Sequence, residues 1–220
     1  MTMWKRIIHL DSVDSTNTYL KNLPELEEGI AVFAKQQTLG RGRRGKSWSS
    51  PCGENIYLSV SFKPDMPMSE VPKMSLMAGL AVAGAIKSYG VSCGIKWPND
   101  IVVCDKKICG ILCEVKGNEN SFICIVGIGI NINTFPDSVG IPATSVSNEC
   151  GRKIDINEFA EILLRYLENE YKSFDSLIFR YKQKCLTLNK QIKVTNADGE
   201  YIAKAIDIAS DGSLLILKDG

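Results

Sequence analysis

Between residues 94 and 132 the chain offers four strand-like stretches in a row, separated only by short turns. They fall near 94–97, 101–104, 107–115 and 122–132. Asp105-Lys106 and Gly117-Asn118-Glu119-Asn120 suit the turns between the later ones. Such a run breaks any regular alternation of strand and helix and argues against a Rossmann domain. Earlier stretches at 4–10 and 30–35 also read as strands. At 56–62, Ile56, Leu58, Val60 and Phe62 alternate with Tyr57, Ser59 and Ser61, as a strand with two different faces requires. Asp14 or Ser15 can cap a short helix that stops near Pro24. Ser69 can cap a second helix running to about Tyr89, with Pro72 in its first turn and Gly90 at its end. Small residues crowd this helix (Ala78, Gly79, Ala81, Ala83, Gly84, Ala85) and would let it lie close against a sheet. Asp155-Ile156-Asn157-Glu158 resembles a capping box. It opens a long amphipathic helix through Phe159, Ile162, Leu163, Tyr166, Leu167 and Tyr171. After Cys185 short strands at 192–195, 201–208 and 214–217 alternate with Asn196-Ala197-Asp198-Gly199 and Ser210-Asp211-Gly212, which predicts a small β meander. The expected fold is a mixed sheet carrying helices, followed by a small β unit.

The 220 residues carry 45% apolar and 23% charged side chains and a formal net charge of +1. That balance gives no bulk attraction to nucleic acid or to an anionic membrane, so any anion site must be local. No secretory signal and no apolar run of membrane-spanning length is present, which predicts a soluble, cytoplasmic protein. Eight cysteines include no Cys-x-x-Cys pair, and His9 is the sole histidine. Buried free thiols are expected, with no zinc site and no tightly bound structural metal.

Gly40-Arg41-Gly42-Arg43-Arg44-Gly45-Lys46 concentrates four positive charges within a loop expected over 38–53. Arginine forks match carboxylate and phosphate oxygens, and glycines let backbone approach a ligand. Trp48 could cover a flat ring. The same residues could equally be a solvated basic loop or an RNA-binding Arg-Gly segment. Residues 40–47 also satisfy the P-loop pattern. Ser47-Trp48-Ser49-Ser50-Pro51 would not continue as a helix, however, and the match is rejected. Lys96-Trp97-Pro98-Asn99-Asp100 places a cation, an indole, an amide and a carboxylate at a strand end, suited to a nucleotide or a magnesium ion, or simply to a turn. Lys107 opens an apolar strand, either aimed into a cleft or merely flanking it. Gly127 and Gly129 leave one strand face bare as a slot ending at Asn131, unless they mark a bulge or tight packing. Ser15, Thr16 and Asn17 at a helix start offer hydroxyls and amides, or plain capping.

In this order the segments resemble the biotin protein ligase family. They are Ser15-Thr16-Asn17; Gln37 ahead of Gly40-Arg41-Gly42-Arg43; Asn55-Ile56-Tyr57-Leu58-Ser59; Lys96-Trp97-Pro98-Asn99-Asp100; Lys107 with Gly110-Ile111-Leu112; and Gly127 with Gly129-Ile130-Asn131. The resemblance runs from about Asp11 to Asn133 and is less specific beyond. It implies an α+β fold: a class II synthetase-like catalytic domain over 1–184, with a mixed β-sheet and flanking helices, then a small SH3-like β-barrel domain over 185–220. The implied enzyme makes biotinyl-5′-AMP from biotin and ATP with magnesium. It then transfers the biotinyl group to a lysine of a biotin carboxyl carrier domain. Lipoate ligation is the alternative with the same adenylation logic, and the Arg-Gly loop with Lys-Trp-Pro-Asn-Asp favours biotin.

Residue by residue, the resemblance assigns biotin contacts to Ser15, Thr16, Asn17, Gln37, Gly40, Arg41, Gly42, Arg43, Tyr57, Lys107, Gly110, Leu112, Gly127 and Gly129. It assigns ATP and adenylate contacts to Arg41, Arg43, Lys46, Trp48, Lys96, Asn99, Asp100 and Asn131. Lys107, Arg43 and Asp100 become the catalytic set, with Asp100 also the expected magnesium ligand. Some family members carry an N-terminal DNA-binding domain. The first motif here starts at Ser15, so a monofunctional ligase without nucleic-acid binding is expected. The family usually continues another strand or two past the point matching Gly220, so an incomplete last domain is expected. The resemblance leaves a homodimer open.

Overall fold

A computed structural model describes residues 2–136, 142–196 and 199–218. The chain order is β1 (Arg6–Val13), α1 (Thr16–Asn22), β2 (Ile30–Gln37), β3 (Ile56–Phe62), α2 (Pro72–Lys87), β4 (Gly94–Lys96), β5 (Asp100–Val103), β6 (Lys106–Asn118) and β7 (Ser121–Ile130). There follow α3 (Val146–Cys150), α4 (Ile156–Lys172), α5 (Leu177–Lys184), β8 (Gln191–Asn196), β9 (Gly199–Ile208) and β10 (Leu214–Leu217). Seven strands form one sheet in the order β1-β2-β3-β7-β6-β5-β4. Only β1 and β2 run parallel within it, so the sheet is mixed as expected. β8, β9 and β10 form a separate antiparallel meander. The turn expected through Ala197 and Asp198 lies outside the described residues.

The sheet has one core face and one working face, and alternation assigns residues to each. Ile56, Leu58, Val60 and Phe62 of β3, Cys109 and Ile111 of β6, and Val126, Ile128 and Ile130 of β7 pack into the main core. α2 lies in that core. Eleven of its sixteen residues are buried, because one side meets the sheet and the other meets α4. Its small residues serve both contacts. Gly79 faces Ile95 of β4, and Gly84 sits where an added Cβ would come within 2.6 Å of the Tyr166 ring of α4. α4 is amphipathic and begins as the capping signal predicts, with Asp155 Oδ1 accepting from the amides of Asn157 (2.8 Å) and Glu158 (3.1 Å). On the opposite face of the sheet, α1 covers a smaller apolar cluster of Leu20, Ile30, Val32 and Ile125.

Some local expectations shift. α2 starts at Pro72, not at a Ser69 cap. Ser69 lies inside a 3₁₀ turn over Met68–Glu70 that precedes the helix. The first strand begins at Arg6, and Trp4 is a buried anchor whose indole nitrogen donates to Leu164 O of α4 at 3.1 Å. α3 and α5 had no clear signal in the sequence. The cysteines are free, but of the eight only Cys109, Cys124 and Cys185 are buried, while Cys93, Cys113 and Cys150 are half-buried and Cys52 and Cys104 exposed. Cys104 and Asp105 make the tight β5–β6 turn with left-handed backbone, which turns Cys104 outward. After α5 the chain returns to the large sheet, where Cys185 bridges Ile95 and the Leu186 amide donates to Ile95 O at 2.8 Å. Among the described residues no helix is long and apolar enough to cross a membrane.

The two helical glycines make opposite predictions. Gly79→Ala meets only ordinary contacts, the nearest at 3.5 Å. It should be neutral or stabilise by up to about 1 kcal/mol through helix propensity. Gly84→Ala would drive α2 off Tyr166 and should destabilise by roughly 1–3 kcal/mol. Urea unfolding of both variants checks this, and a stabilised Gly84→Ala would contradict the α2–α4 packing.

Candidate active site

The working face of β3, β7 and β6 opens into a cavity of about 910 Å³. Register brings Tyr57, Gly129, Gly110 and Asp100 side by side across four strands, and Ser59, Gly127 and Leu112 in the next row. The glycines leave a slot. A Cβ on Gly110 would lie 2.8 Å from the Trp48 ring, and one on Gly129 would fall inside it. The Trp48 indole therefore occupies this slot, with its Nε1 buried and unpartnered. Gly127 makes a second notch, filled by the carboxamide of Asn17, whose Cγ lies 2.9 Å from where a Cβ would be.

Lys107 reaches the same cavity because β6 slips. Its register against β5 jumps from Ile101↔Cys109 to Val102↔Lys107. Ile108 is the extra residue, and both Ile108 and Cys109 enter the core. Plain alternation would have placed Lys107 on the core side with Cys109. The bulge turns it to the working face instead. Lys107 Nζ lies 2.8 Å from Asp100 Oδ1 and 5.3 Å from the Trp48 ring centroid. Asp100 Oδ1 is buried and faces the Lys107 ammonium.

At one end of the cavity the walls are polar. α1 presents Ser15, Thr16 and Asn17, all buried. The Ser15 side chain makes no cap to its own helix, so its hydroxyl is not spent on capping. Gln37 Oε1 accepts from the Thr16 amide (2.9 Å) and hydroxyl (3.1 Å), while Gln37 Nε2 donates to Ser50 Oγ at 3.0 Å. Ser59 Oγ lies 2.7 Å from Thr16 Oγ1 and 2.6 Å from Asn17 Oδ1. Asn17 Nδ2 donates to Glu114 Oε2 at 2.8 Å. These groups form one continuous network.

The Arg-Gly loop is folded on itself. Arg41 and Ser47 bridge, Gly42 donates to Lys46 O at 2.6 Å and Trp48 to Gly40 O at 2.8 Å, and Arg44 and Gly45 turn its tip in left-handed conformation. No helix follows, in keeping with rejection of the P-loop. Arg43 Nη1 donates to Asn99 Oδ1 at 3.2 Å and Arg41 Nη2 to Glu114 Oε2 at 2.7 Å, so the loop spans the cavity mouth between two walls. Gly40 and Tyr57 do not line the cavity. Gly40 is pressed against Ser50 Oγ, 2.8 Å from a would-be Cβ. The Tyr57 hydroxyl donates to Pro51 O at 2.9 Å, and burial pushes its pKa up to about 12, so it props the loop from beneath as a neutral phenol.

Residues 97–99 form the turn between β4 and β5, so turn and wall are the same residues. Asn99 Nδ2 donates to Ile111 O at 2.9 Å. Trp97, which the sequence reading left without a role, donates from its amide to Thr187 Oγ1 (2.9 Å) and from its indole to Gly212 O (3.1 Å), tying this corner to the small sheet. Asn131 is buried and donates to Thr144 O at 3.0 Å. Ile192, Val194, Leu214 and Ile216 of the small sheet complete the far wall. Among the described residues that line the cavity, seven cations face one carboxylate, Asp100. Such a space favours a polyanion. No described group of three or more His, Cys, Asp or Glu residues is placed to hold a metal ion.

All other sequence-assigned residues line this single cavity. Trp48, assigned to ATP and the adenylate, stands over the glycine slot. Ser59, Glu114 and the small-sheet residues were missed. Period-two extension from Gly110 and Leu112 would have reached Glu114, and from Tyr57 would have reached Ser59.

The family model for the biotin/lipoate A/B protein ligase family matches residues 10–131. The bifunctional ligase/repressor BirA of Bacillus spizizenii is 33% identical over 97% of this chain and 70% of its own length. The biotin–[acetyl-CoA-carboxylase] ligase of Mycobacterium tuberculosis is 32% identical over 86% of this chain and 73% of its own. The solved structure of the Aquifex aeolicus biotin protein ligase with biotin and ATP aligns with a TM-score of 0.84 at 30% identity, covering 98% of this chain and 93% of that one. With the fold, the cavity and these relatives in agreement, the chain belongs to the biotin/lipoate A/B protein ligase family.

Proposed function

We propose that this cavity joins biotin to ATP as biotinyl-5′-AMP and passes the biotinyl group to a lysine of a biotin carboxyl carrier domain. The observation that carries this reading is the convergence, in one cavity, of the glycine slot, the linked Thr16, Asn17 and Gln37 with Ser15 beside them, and Lys107. A fused ureido ring needs donors and acceptors at one end and flat backbone beneath it. The network and the slot offer both. Trp48 has to leave the slot for such a ring to enter. The biotin carboxylate would then lie towards Lys107, and the triphosphate between the Arg-Gly loop and the corner at 96–100. In this reading residues 1–184 act as the catalytic domain and 185–220 as part of a small β-barrel domain.

The reaction needs no protein nucleophile. A biotin carboxylate oxygen attacks the α-phosphorus of ATP, and pyrophosphate leaves. Lys107 and the loop arginines lower the barrier by meeting negative charge with cations already in place. In the second step a lysine amine attacks the mixed anhydride and AMP leaves, with Lys107 stabilising the oxyanion. A loop closed over the site would keep water from the anhydride. Asp100 is the one carboxylate among the described residues that line the cavity, so it would be the residue to hold a magnesium ion, its oxygen exchanging Lys107 for the metal. When bound, the ion would offset phosphate charge.

Incubation with biotin, ATP, magnesium and a carrier domain, read by mass spectrometry, should add one biotinyl group. Lipoate in place of biotin is the discriminating arm, and lipoyl transfer alone would overturn the reading. Lys107→Ala should lower adenylate formation by at least about a hundredfold. Near-wild-type transfer would remove Lys107 from the mechanism. Arg43→Gly, which loses the contact to Asn99, should release biotinyl-5′-AMP faster and label bystander lysines. An unchanged adenylate off-rate would count against that role.

A further inference from the structure

Glu114 is the most heavily engaged carboxylate near the cavity among the described residues, and the reaction gives it no task. It follows Gly110 and Leu112 on the working face of β6, opposite Ile125. It does not itself line the cavity. Its side chain is 18% exposed, and a charge so sheltered must be compensated. The compensation comes from two residues that do line the cavity. Oε2 accepts from Asn17 Nδ2 at 2.8 Å and from Arg41 Nη2 at 2.7 Å, while Lys21 Nζ stands 3.8 Å from Oε1. The first contact decides which way the Asn17 amide points. With Nδ2 held by Glu114 and Leu112 O, Oδ1 is left facing Ser59 and filling the Gly127 notch. The second contact fixes the base of the Arg-Gly hairpin, where Arg41 bridges Ser47.

We propose that Glu114 is a positioning residue whose single oxygen locks Arg41 and Asn17 to each other, so that the loop and the polar end of the cavity meet the ligand as one preorganised unit. The role rests on the ligase reading for its ligand, but not for its geometry. A neutral amide could keep one of the two contacts but not both at charge-assisted strength.

Two measurements on Glu114→Gln test this. The first needs no ligand. Trypsin has sites after Arg43 and Arg44 in the hairpin, and cleavage there follows the open population of the loop. Cleavage should rise about tenfold with loss of one charge-assisted contact, with no matching fall in the global unfolding midpoint. Glu114→Asp, which keeps the charge, should restore part of the protection. The second is a cycle with Arg41→Gln read as KM for biotin in adenylate formation. Glu114→Gln should raise KM about tenfold with kcat changed less than about twofold, and have much less effect when Arg41 is already Gln. Unchanged cleavage, or strictly additive effects on KM, overturns the proposal. If Glu114→Gln does not fold, Arg41→Gln breaks the same contact from the exposed side, and an unprotected loop is again the required result. A wild-type chain that makes no biotinyl-5′-AMP would overturn the ligase reading, and the proteolysis result would still decide the Arg41–Glu114 lock.

Discussion

A sheet that is solid on one face and hollow on the other tolerates no slip in register, because a one-residue shift would exchange the two faces. β6 and β7 are written to that rule. Cys109, Ile111, Val126, Ile128 and Ile130 enter the core with α2, while the intervening Gly110, Gly127 and Gly129 hollow out the other side. The core face pins the register, and the slot follows from it. The one departure, at Ile108, is what sends Lys107 across to the cavity. Core packing and the placement of Lys107 in the cavity are thus one geometric decision.

The second requirement is charge. Collecting cations around one space is unfavourable unless most stay hydrated or find partners. Here the loop arginines lie at the mouth, where Arg41 and Arg43 rest on Glu114 and Asn99. Lys107 is the sheltered one, and it sits against Asp100 with about a quarter of each side chain exposed. A pair in that setting contributes modestly to stability, on the order of 1 kcal/mol. Its value is positional. A whole-chain charge of +1 conceals this clustering, because acidic residues elsewhere balance it.

The parts legible in the sequence were those governed by local periodicity. The strands at 94–132, the two-faced β3, the capping box at Asp155 and the closing meander appear within a residue or two of where alternation and turn chemistry put them, except that β6 runs three residues past its expected end, through Gly117 and Asn118 of the expected turn. Lining residues came from motif order, and most do line one cavity. What motif order left out depends on how separate segments pack, near or far along the chain. Gly40 and Tyr57 shape the loop from behind because Ser50 and Pro51 fold back on them. Trp97 was one residue within a recognised motif until Thr187 and Gly212, some ninety and more positions on, gave it partners. Glu114 was hidden inside an apolar strand, and its meaning lies in Arg41, which is 73 residues away. α3 and α5 are short, and tertiary packing rather than propensity decides such helices.

The indole in the glycine slot bears on how tightly any ligand can be held. With Trp48 seated over Gly110 and Gly129, the slot is already filled. A flat ligand entering there exchanges one set of stacked contacts for another, so its apolar burial contributes only as a difference. Trp48 leaves two things to be gained. Its Nε1 is buried without an acceptor, a penalty relieved when the ring moves into water or meets a polar ligand. Lys107 stands over its face at 5.3 Å, an attraction that a carboxylate at the same place would exceed. Under the proposed function, the slot therefore favours a molecule that is both flat and anionic near Lys107. A flat neutral ring would have little advantage over the tryptophan it displaces.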